Sequence, residues 1–169
     1  MWGGRSLVIL RELLAEPHLH LRLLCGEDEQ LDRPVRWVFA TELAHPRRYL
    51  TGGGFLHIDD NYGLDKFIRP EMKKVFPELE FVELPFSHPI YHQKYQFPRG
   101  LPKVHEHDGK RAQGFGLIYK GRLVCFYSYE CDLGNGWEDV GTYPEDPPAV
   151  HDAALRMGAN LLSYALTQN

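Results

Sequence analysis

Three consecutive glycines, Gly52-Gly53-Gly54, open onto the apolar run Phe55-Leu56-His57-Ile58, and Asp59-Asp60-Asn61 close it. That run is too short for a helix and suits a strand buried on both faces. Glycine permits close backbone approach. Polar residues at the C-terminal end of a parallel strand often face the ligand crevice of open α/β folds. The same pattern also makes a tight turn capped by Asx side chains.

Around this run the chain alternates helical and extended patterns. Ser6 as N-cap, then Leu7, Leu10, Leu13 and Leu14 at helical spacing, predicts a helix that Pro17 ends. Leu19, Leu21 and Leu23 alternate with His20 and Arg22, which reads as a strand. Val35 to Phe39 reads as a second short strand, and Ala44 to Leu50 as one or two helical turns. Leu64 to Phe76 reads as an amphipathic helix with Phe67, Met72, Val75 and Phe76 as core positions, its first part disturbed by Pro70. Phe81 to Leu84 is a strand. Pro85 to Gly109 has no long period and reads as one irregular excursion with a helical turn around Ile90. Two apolar runs, Phe115–Tyr119 and Arg122–Ser128, flank Lys120-Gly121 and predict a β-hairpin. Tyr129 to Pro148 is a polar loop, and Val150, Ala154, Met157, Leu161 and Ala165 form one stripe of a final helix.

This order implies a mixed α/β sandwich. The 169 residues allow one domain with a small appendage. The net charge is -4, and neither the first 54 residues nor the remainder is basic. The cationic footprint that neutralises phosphates is missing, so no nucleic-acid partner is expected. The three cysteines, Cys25, Cys125 and Cys131, have no CxxC spacing and imply neither a disulfide framework nor a cysteine zinc site. No apolar run reaches membrane-spanning length and no signal-peptide pattern opens the chain, so the expected setting is cytoplasmic, without a membrane partner.

Two resemblances meet at Arg48-Tyr49-Leu50-Thr51-Gly52-Gly53. Upstream, Leu10–Leu14, Leu31–Val38 and Thr41-Glu42-Leu43 resemble the start of the N-terminal domain of purine catabolism regulator (PucR-like) bacterial transcription factors. The helix-turn-helix of those proteins has no counterpart here. Downstream, Arg48–Leu56, Asp59–Gly63, Val75-Phe76-Pro77, His88–Tyr91, Gly121–Val124, Asp132-Leu133-Gly134, Gly136-Trp137-Glu138 and Met157–Asn160 resemble the bacterial family called domain of unknown function 4159. That resemblance implies a flavodoxin-like or class I glutamine-amidotransferase-like layered sandwich. Here it is incomplete, because the opening βα units are replaced, and it ends in a β-hairpin and a C-terminal helix. The chain thus reads as a chimera, with residues 1–53 as a PucR-like fragment and 54–169 as the α/β domain.

Three constellations could carry chemistry. His88, His105 and His107, with His92, Glu106 and Asp108 nearby, have the imidazole and carboxylate donors that suit a divalent metal. The same residues also read as ordinary loop histidines. Asp59 and Asp60 follow one apolar run, and Glu130 and Asp132 follow another, so both pairs can leave the same sheet edge and separate their pKa values. His57 precedes the first pair as a buried partner. A nucleophile elbow is absent, and Cys131 lies between Glu130 and Asp132, whose charge disfavours a thiolate. Tyr91, Tyr127, Tyr129 and Trp137 could wall a ring or sugar, though such sets are more often core.

The expected function is a non-catalytic ligand-binding or interaction module. Its ligand residues would come from His57, Asp59, Asp60, Asn61, Tyr62, His88, Tyr91, Glu130, Asp132 and Trp137. The partner is an unspecified small molecule or protein, and no cofactor is expected. The alternative is a metal-dependent hydrolase built on the His/Asp groups. Oligomeric state is not legible.

Overall fold

The structure, a computed structural model, describes residues 5–12, 19–26, 44–60, 63–105 and 109–167. The central element is a four-stranded mixed sheet in the order β3-β6-β5-β4, with β3 at Leu56–Asp59, β4 at Val82–Glu83, β5 at Gln113–Tyr119 and β6 at Arg122–Tyr129. β3 runs parallel to β6, whereas β5 is antiparallel to both β4 and β6. A separate antiparallel hairpin joins β1 (Arg5–Glu12) to β2 (Leu19–Gly26), and β1 lies alongside β3.

Residues 7–12 of the expected helix are therefore a strand, and its remainder lies outside the described residues. Leu7, Leu10 and Leu13 have helical spacing, but Val8 and Ile9 between them are β-branched, and residues 5–12 pair in full register with 19–26. Cross-strand pairing overrides a weak local period. The expected strand over 35–39 lies outside the described residues.

Helix α1 (Ala44–Thr51) ends in the glycine turn. Gly53 has φ +114, and Gly54 lies under the Tyr49 ring, so a Cβ there would sit 2.4 Å from Tyr49 Cζ. Arg122 from β6 donates to the Gly54 carbonyl at 2.8 Å and also to that of Leu50, satisfying one acceptor of the glycine turn and one that the helix end leaves open. The turn delivers β3 into the sheet with Leu56 and Ile58 on one face and His57 and Asp59 on the other.

Helix α2 (Asp65–Val75) covers the first face with Ile68, Met72 and Val75, joined by Phe76, Leu50, Cys125 and Tyr127. Ile68 takes the inner position expected of Phe67, which stays half-buried with the Lys66 ammonium over its ring. Pro70 is accommodated inside the helix. On the opposite face, α3 (Pro148–Thr167) buries Ala154, Met157 and Leu161, with Val150 and Ala165 partly buried against the same core. Each large apolar side chain removed from water here contributes about 1.5–3 kcal/mol.

The expected hairpin turns at Lys120 (φ 50) and Gly121 (φ 84), the paired left-handed residues of a type I′ turn. The strand expected at 81–84 shrinks to two residues. Among its described residues, the excursion 85–109 carries one 3-10 turn, Pro89–Tyr91. Buried Asn160 of α3 holds it, accepting from the backbone N–H of Lys94 (2.9 Å) and Tyr95 (2.8 Å) and donating to Tyr95 O (2.8 Å). Among the described residues no helix is long and apolar enough to cross a membrane.

Candidate functional site

Because β3 and β6 are parallel, with Asp59 opposite Ser128, Asp59/Asp60 and Glu130/Asp132 leave the sheet at the same edge. The backbone fastens the two loops together. Asp60 N–H donates to Ser128 O at 3.1 Å, and the N–H groups of Cys131 and Asp132 both donate to Asp60 O at 3.1 Å. Glu130 (φ 53) and Asp132 (φ 60) occupy the left-handed region, uncommon for non-glycine residues and concentrated at constrained sites.

Asp59 is fully buried. Its Oδ1 accepts from Ser128 Oγ (2.6 Å) and Leu133 N–H (3.2 Å), and its Oδ2 from Gly134 N–H (2.7 Å). Desolvation outweighs these bonds and lifts its carboxyl to about 6. Asp60 accepts from Leu64 N–H (3.0 Å) and the Tyr127 hydroxyl (2.7 Å), and burial raises its pKa. His57 Nε2 lies 2.9 Å from Ser128 Oγ, with its ring between Phe126 and Trp137. Burial pushes His57 down to about 3, so it is neutral at pH 7. These groups hold the strand ends together, and their polar atoms are committed inward.

Asp132 is also fully buried, and desolvation followed by the Asp59 charge lifts it to about 8. Its Oδ2 accepts from Asn135 Nδ2 at 2.8 Å and lies 3.3 Å from His105 Nδ1. His105 is delivered by the Val104 N–H, which donates to Cys131 O at 2.9 Å. His105 Nε2 then meets Asp146 Oδ2 at 2.7 Å. The Tyr143 ring stands edge-on to His105, and its hydroxyl donates to Asn135 Oδ1 at 3.1 Å. His105, Asn135, Tyr143 and Asp146 are partly exposed, so this is where the acidic edge reaches solvent. Beside it, buried Glu130 lies 3.6 Å from Lys103 Nζ and 3.8 Å from Lys110 Nζ.

Among the described residues, His88 and His92 have their own contacts, different from those of His105 given above. His88 accepts from Ile90 N–H at the 3-10 turn and packs on Tyr164. His92 contacts Gln96 and the Phe86 carbonyl. His107, Glu106 and Asp108, like Asn61 and Tyr62, lie outside the described residues. Among the described residues no group of three or more His, Cys, Asp or Glu side chains is placed to hold a metal ion. The aromatic set is divided by the sheet, with Tyr91 and Trp137 on the α3 side and Tyr127 and Tyr129 on the α2 side. Trp137 also donates to Ala154 O at 2.9 Å. Buried Cys131 has its thiol raised well above the usual range, first by desolvation and then by Asp59 and Asp132.

Sequence reasoning missed Ser128, Asn135, Tyr143 and Asp146. Ser128 had a signal, as a hydroxyl ending an apolar strand that pairs with the Asp59 strand. The other three sit in a loop without periodicity.

A family model described as a domain of unknown function (DUF4159) matches residues 34–166. No curated protein matches the chain.

Proposed function

The chain belongs to the DUF4159 family, and we propose that its domain is a non-catalytic ligand-binding module whose site is the loop edge beyond β3 and β6. The carrying observation is how polar groups are allotted at that edge. Asp59, Asp60, His57 and Ser128 spend their polar atoms on one another, on the Tyr127 hydroxyl and on backbone, while His105, Asn135, Tyr143 and Asp146 reach solvent. A partly exposed carboxylate, an amide and an aromatic edge suit a small ligand with hydrogen-bond donors or a cationic nitrogen attached to a flat apolar part. The flavodoxin-like layering belongs to the same proposal. It is supported by the strand–helix succession β3–α2 and by acidic residues at the C-terminal strand edge. Backbone NMR during titration with a panel of small amines and polar heterocycles tests it. Shifts centred on His105, Asn135 and Tyr143 that His105→Gln abolishes support the module. Saturable binding that maps elsewhere and survives His105→Gln overturns it.

A metal-dependent hydrolase is the second reading, favoured by the 3.3 Å approach of Asp132 to His105 at the solvent-reaching edge. Metal-stimulated turnover on a panel of ester and amide substrates, lost in His105→Ala, is the outcome that would establish it.

A further inference from the structure

We draw no further inference here: the strongest candidate, the exposed apolar stripe of Leu155, Leu162 and Leu166 on the outer face of α3, carries none because nothing in the structure shows what covers it.

Discussion

Ser128 Oγ donates to Asp59 Oδ1 at 2.6 Å across the parallel register that sets the two residues opposite each other. The same hydroxyl lies 3.1 Å from Ile58 O and 2.9 Å from His57 Nε2. A serine hydroxyl has one proton to give, and the shorter bond takes it to Asp59. Nε2 of neutral His57 must then be the donor to Ser128, which fixes the tautomer. One serine thereby joins both strand ends and orients the carboxylate that receives Leu133 and Gly134.

Removing that hydroxyl leaves a buried carboxylate and a buried imidazole each short of a partner. Ser128→Ala is expected to cost about 1–3 kcal/mol. Urea denaturation measures it, and an unchanged midpoint at constant slope would contradict the assigned role.

Stability should fall as pH rises above 6.5. Folded Asp132, raised to about 8, holds its proton where the unfolded residue has lost it. Its contribution is therefore complete below the unfolded value and lost as pH rises through 8. Asp59 acts in the same direction but titrates near 6, and His57, lowered to about 3, opposes both only between pH 3 and 6.5. Between pH 6.5 and 8.5 Asp132 dominates these three, with a loss of about 2 kcal/mol. Thermal melts across that window in wild type and Asp132→Asn check this. A variant as pH-sensitive as wild type would refute the assignment.

The glycine turn makes a packing prediction. A Cβ on Gly54 would meet the Tyr49 ring at 2.4 Å. Gly54→Ala must displace that ring from the end of α1, at about 1–3 kcal/mol. Combining it with Tyr49→Ala should recover part of the loss if the clash is the cause. Strict additivity in the double mutant would point to another origin.

The elements legible in the sequence are those whose signal is local. The Gly52–Gly54 turn into β3, the Lys120-Gly121 hairpin and the Ala154/Met157/Leu161 stripe each carry their own period or turn chemistry. Residues 5–12 were misread because their partner lies at 19–26, and only pairing decides between strand and helix there. At the edge, the acidic residues were visible as residue types after apolar runs. Their different environments were not, because these depend on long-range contacts. Gly134 N–H reaches Asp59, and Asp146 reaches His105 across 41 residues of sequence.

Metal content separates the two functional readings. Both ring nitrogens of His105 are already engaged, Nε2 by Asp146 and Nδ1 by Asn135 and Asp132. Elemental analysis of tag-free protein is expected to find well under one equivalent of metal, with a melt indifferent to chelation. One metal per chain and a large chelator-induced drop in melting temperature would favour the hydrolase.

Calorimetric titration of the tightest binder from the amine and heterocycle panel into wild type, Asp146→Asn and Lys66→Ala tests whether the loop edge is the ligand site. Lys66 is an exposed residue of α2 whose ammonium lies over the Phe67 ring. Asp146→Asn is expected to lose affinity about tenfold or more, roughly 1.4 kcal/mol, with Lys66→Ala matching wild type. Equal affinity in all three proteins would contradict it and remove the loop edge as the ligand site.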